Sequence, residues 1–140
     1  MMKIGIDLHG TLDMDFKSLG KLIFLMKDGT LNKKAEYIII SGSKNVKSLE
    51  KELLKINVRK GIHYKETISV VEFLIDQGTE FTYDQAGQPW CHDDIWWMSK
   101  AIICERNNIF LMIDDMPQYG TYFKKNQNFM LYKDFVKRFY

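Results

Sequence analysis

The chain has little of what marks several broad classes of protein. Its 140 residues include two cysteines, Cys91 and Cys104, too few for the disulfide framework of a small secreted fold, and we expect both to be reduced thiols. No apolar run approaches the roughly 20 residues that span a bilayer. An acid at Asp7 interrupts the N-terminal hydrophobic stretch before a signal-peptide core can form. These absences predict no membrane partner and a cytoplasmic location. Neither sign of charge dominates: 20 lysines and arginines stand against 18 aspartates and glutamates, a net charge of +2. No block of like charge is long enough to read as a nucleic-acid-binding tail. Internal repeats, low-complexity segments and linkers are missing as well. What is present, 46% hydrophobic and 14% aromatic residues, suffices for the core of a single domain over residues 1–140.

Short apolar runs of strand length alternate with segments of helical period, the signature of βαβ units around a mostly parallel sheet. The predicted strands are Lys3–Asp7, Glu36–Ile40, Ile109–Ile113 and Phe129–Tyr132. Phe16, Leu19, Ile23 and Met26 recur at three- and four-residue steps and predict one helix face, with Gly29 closing that helix. Val46, Leu49, Leu53 and Ile56 predict a second helix. A third is expected near Glu66–Gln77, with Ile68, Val71, Leu74 and Ile75 on one side and Gly78 just past its end. A fourth, near Asp93–Asn107, has two acids in its first turn, where the helix dipole favours them. The stretch Thr79–His92, with Gly87, Gln88 and Pro89, reads as a loop or small hairpin. The expected fold is α/β: three-layered, Rossmann-like, around a central and mostly parallel sheet.

Polar residues at the strand ends carry the chemistry. The first strand ends in Asp7, the second runs into Ser41-Gly42-Ser43, and the third ends in Asp114-Asp115. In a parallel sheet these ends open on one edge, the edge where open α/β sheets bind ligands. Three carboxylates gathered there repel one another unless a cation lies among them, and an all-oxygen ligand set suits Mg²⁺. Lys100, on the helix leading into the third strand, is placed to point toward the same edge. The Ser41 hydroxyl and the amides of Gly42 and Ser43, at the start of a helix, offer donors to a phosphate.

The order Asp7-x-x-Gly10-Thr11 after a first strand, Ser41-Gly42 after a second, Lys100 on a later helix, then a hydrophobic strand ending in Asp114-Asp115, resembles the haloacid dehalogenase superfamily of phosphotransferases. The four motifs span residues 3 to 115 and so most of the chain. The resemblance implies that Asp7 attacks phosphorus to form an aspartyl-phosphate, that Ser41 and Lys100 hold the phosphoryl oxygens, and that Thr11 shapes the loop after the first strand. It also implies a Mg²⁺ site formed by Asp7, Asp114, the main-chain carbonyl of His9 and, directly or through water, Asp115. A carboxylate displaces an alkoxide from phosphorus only when the dianionic phosphate is shielded, which Mg²⁺ and Lys100 would supply.

The sequence departs from the family at His9, where the phosphatases carry a second aspartate that protonates the leaving oxygen and then deprotonates the attacking water. A free imidazole titrates at about 6.5 and is able to do both, although its bulkier ring places its nitrogens differently. Three outcomes follow: a phosphatase using His9 as acid and base, a slow enzyme with a stable aspartyl-phosphate, or a module that binds a phosphorylated nucleotide ligand without turnover. The spacing between motifs leaves no room for a large cap domain. An open site suits a bulky substrate such as a nucleic-acid end or a protein, or a lid from a neighbouring subunit in a homo-oligomer. Nucleotides and polynucleotide ends are the leading substrate class. Lys44, Lys47, Lys51 and Lys55 line the polar face of the second helix and read first as a solvated face, second as a nucleic-acid track. Cys91-His92-Asp93-Asp94 mixes metal-binding residue types at a helix start, where adjacent residues rarely converge on one ion, and reads as helix capping. Pro89-Trp90 and Trp96-Trp97 form an aromatic cluster that reads first as buried area and second, for Trp90 in a loop near Lys100, as a contact for a ligand ring.

Overall fold

The computed structural model describes residues 1–140. Strand β1 (Met2–Ile6) leads through an irregular turn at Leu8–Leu12 into the short helix α1 (Asp13–Lys17), then α2 (Lys21–Leu31) and β2 (Ala35–Ser41). Helix α3 (Val46–Lys55), β3 (Glu66–Ser69) and α4 (Val70–Asp76) follow, and then a hairpin of β4 (Thr82–Tyr83) and β5 (Pro89–Trp90). The chain finishes with α5 (Asp93–Arg106), β6 (Leu111–Asp114), α6 (Pro117–Gly120), β7 (Asn128–Leu131) and α7 (Tyr132–Phe139). No helix is long and apolar enough to cross a membrane.

Five strands form one sheet in the order β3-β2-β1-β6-β7, and every neighbouring pair in it is parallel. The fold is thus a small Rossmann-like α/β sandwich of three layers. The interior strand β2 reads AEYIIIS because it is covered on both sides. Tyr37 and Ile39 turn to one face with Leu22, Met26, Leu49, Leu53 and Phe135 from α2, α3 and α7. Ile38 and Ile40 turn to the other with Val70, Leu74, Ile103 and Cys104 from α4 and α5. Strand order reverses between β1 and β6, so the C-terminal ends of these two strands flank the crevice in which such sheets hold ligands.

Four expectations need correction. The third predicted helix begins as a strand: Glu66–Ser69 pairs with Ile38–Ser41, and only at Val70 does the helix start. Ser69 makes the switch, its hydroxyl accepting the Glu72 amide at 3.2 Å as an N-cap. The first predicted helix is two. The chain breaks at Gly20, in the left-handed conformation with φ +67°, and Phe16 and Leu19 are exposed while Met26 is buried. Gly29 does not close α2 but lies inside it, against the Tyr37 ring, where a Cβ would stand 2.9 Å from Cε2. The second helix starts at Val46, beyond a loop that separates it from Ser41–Ser43. Its first amides are already engaged: Asn45 Oδ1 accepts from Ser48 at 2.7 Å and Glu72 Oε1 from Val46 at 2.8 Å.

Candidate active site

Asp7 directly follows β1 and Asp114 closes the adjacent β6, so two neighbouring parallel strands deliver their terminal carboxylates to one point. The Asp7 amide donates to the Ile113 carbonyl at 3.0 Å, carrying the pairing to the last residue before the turn. Both acids are buried, and so is Lys100. Its ammonium donates to Asp7 Oδ1 at 2.9 Å and to Asp114 Oδ2 at 2.5 Å, and the Tyr119 ring lies 4.4 Å from Nζ. Asp114 Oδ1 accepts the Met116 amide at 3.0 Å, so both its oxygens are held.

Asp115 completes the cluster. One carboxylate oxygen from each of Asp7, Asp114 and Asp115 lies within 4.8 Å of the others, an arrangement able to hold a metal ion. Asp115 Oδ1 is buried without any partner. The carboxylate is pressed against Gly10, where a Cβ would fall 2.2 Å from Oδ2. Gly10 also has φ +81°, so both its backbone and its contact require glycine. Its amide donates to Asp13 Oδ1 at 2.7 Å, which fixes the turn from below.

Electrostatics follow from burial. Burial pushes the Asp7 carboxyl up to about 7; the Lys100 ammonium opposes the rise and the Asp114 carboxylate adds to it. Asp114 is raised for the same first reason, again with Lys100 opposing. For Lys100, burial disfavours the charge, but Asp7 and Asp114 outweigh it and hold the ammonium above its ordinary value. Three acids around one ammonium are short of positive charge, which is the condition under which a cation is stabilised among them.

The remaining predicted residues divide. Ser41, at the end of β2, is buried with its hydroxyl 3.2 Å from that of Ser43. The Ser43 carbonyl accepts the Ser69 hydroxyl at 2.6 Å, tying the Gly42–Ser43 loop to β3. Thr11 is buried with Oγ1 unpartnered, among the residues of the turn. The His9 side chain leaves the carboxylate cluster and is 61% exposed. Its Nε2 is 2.9 Å from Glu52 Oε2 on α3 and its Nδ1 3.6 Å from Asp13 Oδ2. Lys44, Lys47, Lys51 and Lys55 are exposed. Cys91 and Cys104 are free thiols, and His92 caps α5, its Nδ1 accepting the Asp94 amide at 3.3 Å.

Sequence reasoning missed Glu52, Asp13 and Tyr119. The first two are seen only once the turn and α3 are folded together. Tyr119 stands five residues beyond Asp114 in a short helix opened by Pro117, and that proline was its one available signal. Compared with known proteins, the sequence matches no family model and no characterised protein. Fold and site together define a class all the same: a parallel α/β sheet with a carboxylate cluster and one buried lysine at its switch point.

Proposed function

We propose that this chain is a Mg²⁺-dependent phosphomonoester hydrolase working through an aspartyl-phosphate, with a nucleotide or polynucleotide end as substrate. The observation that carries the reading is the convergence of Asp7, Asp114 and Asp115 on one point, with Lys100 donating to the first two. The resemblance to the haloacid dehalogenase superfamily supports it.

The donor set fits the metal. It is all oxygen, and the buried, unpartnered Oδ1 of Asp115 lacks the positive charge or donor that such a group requires. Asp7, Asp114, Asp115 and the His9 carbonyl would hold the ion, which when bound would neutralise charge on the phosphoryl oxygens. The protein residues do the rest. Lys100 opposes the rise that burial imposes on the Asp7 carboxyl and orients it as the nucleophile. The Asp7 carboxylate attacks phosphorus, the bond from phosphorus to the ester oxygen breaks, and the leaving alkoxide takes a proton from His9. Neutral His9 then takes a proton from water as it attacks the aspartyl-phosphate, which releases phosphate and regenerates the Asp7 carboxylate. Ser41 with the Gly42 and Ser43 amides supplies donors to the phosphoryl oxygens.

One observation favours the second reading, a module that binds a phosphorylated nucleotide ligand without turnover: His9 is drawn toward Glu52 and Asp13 rather than toward Asp7. A phosphate-release screen separates the two. Nucleotides, sugar phosphates and 3′- or 5′-phosphorylated oligonucleotides are incubated with Mg²⁺ or with chelator. The hydrolase reading expects Mg²⁺-dependent release that Asp7→Asn abolishes. No release from any substrate, with nucleotide binding that survives Asp7→Asn, would establish the binding module instead.

A further inference from the structure

All three tryptophans of the chain, Trp90, Trp96 and Trp97, line one cavity of about 350 Å³. Its walls come from three separate elements: Pro89 and Trp90 on the hairpin, Trp96 and Trp97 in the first turns of α5, and Gly42 in the loop after β2. Three features connect it to the phosphoryl site. Gly42 belongs to both, and the Trp96 ring packs so closely on it that a Cβ would meet Cζ2 at 2.8 Å. Trp96 and Trp97 precede Lys100 by four and three residues on the same helix, hence on the same face and one turn away. Finally, Trp97 meets Tyr119 edge-on with ring centroids 4.8 Å apart, and Tyr119 in turn covers the Lys100 ammonium.

The hairpin that brings in Trp90 is built to hold that side chain. Asp84 Oδ1 accepts the amides of Ala86 and Gln88, both at 2.9 Å, and its Oδ2 accepts the Trp90 indole N–H at 3.1 Å. Trp90 is nevertheless 61% exposed, so the hairpin fixes an indole without burying it. A large flat ring held in solvent beside a phosphate-binding loop gains contact area only when a second flat ring covers it. Polar groups set the direction. The Asp93 carboxylate lines the cavity and would repel a phosphate, whereas Lys100 and the Ser41–Ser43 loop attract one. Gln88 and Asp93 instead suit the ring nitrogens and amino groups of a base.

We propose that this cavity is a nucleobase site: the phosphate of a nucleoside 5′-monophosphate sits on Ser41–Ser43 and Lys100 while its base enters among Trp90, Trp96 and Trp97. A volume near the lower end of the usual ligand range, about 300 to 1,000 Å³, matches one nucleoside rather than several. The inference rests on the phosphoryl site proposed above and adds the substrate class.

Because no tryptophan lies elsewhere, tryptophan fluorescence, excited at the red edge where the seven tyrosines do not absorb, reports on this cavity alone. Asp7→Asn protein, blocked in turnover, is titrated in Mg²⁺ with AMP, UMP, ribose 5-phosphate, adenosine and a 5′-phosphorylated oligonucleotide, with calorimetry in parallel. AMP is expected to quench the fluorescence saturably, and ribose 5-phosphate to compete with it without quenching. Trp90→Ala should weaken AMP binding by about 5- to 100-fold, the range that base-on-aromatic stacking implies, and leave ribose 5-phosphate within about twofold; Trp90→Phe should restore most of the loss. AMP and ribose 5-phosphate binding alike, with no effect of Trp90→Ala, would overturn the nucleobase site and leave the phosphoryl site standing. Quenching by adenosine and AMP equally, with no response to ribose 5-phosphate, would keep the ring site and sink the phosphoryl reading. Binding of the oligonucleotide without AMP would overturn the mononucleotide assignment.

Discussion

Replacing Lys100 by methionine isolates the electrostatics of the buried cluster. Methionine fills most of the space of the lysine stem and removes only the charged end, so packing changes little. It leaves Asp7 and Asp114, both nearly or wholly inaccessible, without the ammonium that now lies 2.9 and 2.5 Å from their oxygens. Breaking a buried pair in this way costs about 3 to 5 kcal/mol, a large share of the about 5 to 15 kcal/mol that holds a typical domain together. The pH dependence identifies the cause. Asp7 already has its carboxyl pushed up to about 7 by burial, against the pull of Lys100, and without the ammonium both carboxyls go higher. A carboxyl raised above its unfolded value, near 4 for an aspartate, adds stability below that value. It loses that contribution as pH rises through the folded value. The wild-type protein free of divalent ions therefore loses stability between about pH 4 and 7 through Asp7, and Lys100→Met deepens and extends that loss upward. Urea unfolding followed by circular dichroism in chelator, at pH 5 and pH 8, measures it: a small deficit at pH 5 and the full deficit at pH 8. An equal deficit at both values would show that the lysine contributes packing rather than charge.

Other substitutions probe the turn, the histidine and the opposite layer. Gly10→Ala must abandon φ +81° or displace the Asp115 carboxylate; we expect a loss of about 2 kcal/mol or more and a smaller Mg²⁺-induced rise in melting temperature, read by calorimetry with and without the ion. His9→Ala should slow phosphate release by about 10²- to 10⁴-fold with ligand affinity largely retained, whereas His9→Asp should keep or raise it and shift the acidic limb of the pH–rate profile. Wild-type turnover in His9→Ala would remove the histidine from the chemistry. Asp15, fully buried, accepts from the Ile23 amide at 2.9 Å and from the hydroxyls of Tyr132, at 2.9 Å, and Tyr140. Asp15→Asn turns one acceptor into a donor, so a loss of about 1 to 3 kcal/mol is expected, with hydrogen exchange quickening in α7.

Elements whose signal is local were legible in the sequence. The four predicted strands occur within two residues of their expected ends, because continuous apolar runs bounded by polar residues have few other uses in an α/β chain. The acids at the ends of β1 and β6 were equally readable, since topology alone brings them together. The strand β3 was not. Ile68, Val71, Leu74 and Ile75 keep helical spacing across a junction, and only the pairing with β2 pulls Glu66–Ser69 straight. The break after α1 was hidden in the same way: Phe16 and Leu19 fit the period of Ile23 and Met26, but Gly20 ends the first helix and leaves both side chains in solvent. The setting of His9 between Glu52 and Asp13 depends on a contact between the turn and α3 that no periodicity encodes.

The two-residue strands of the hairpin have a consequence for how this molecule can change over evolutionary time. Asp7 and Asp114 are anchored in the middle of a five-stranded sheet, where exposing a backbone amide demands opening of the whole structure, while β4 and β5 pair only with each other. Local opening of the hairpin therefore requires far less free energy, and its amides should exchange with deuterium well before those of β1 and β6. Insertions, deletions and substitutions between Thr82 and Trp90 are accordingly tolerated by the scaffold. Descendants of this sequence are free to change there while the groups at the sheet edge stay as they are.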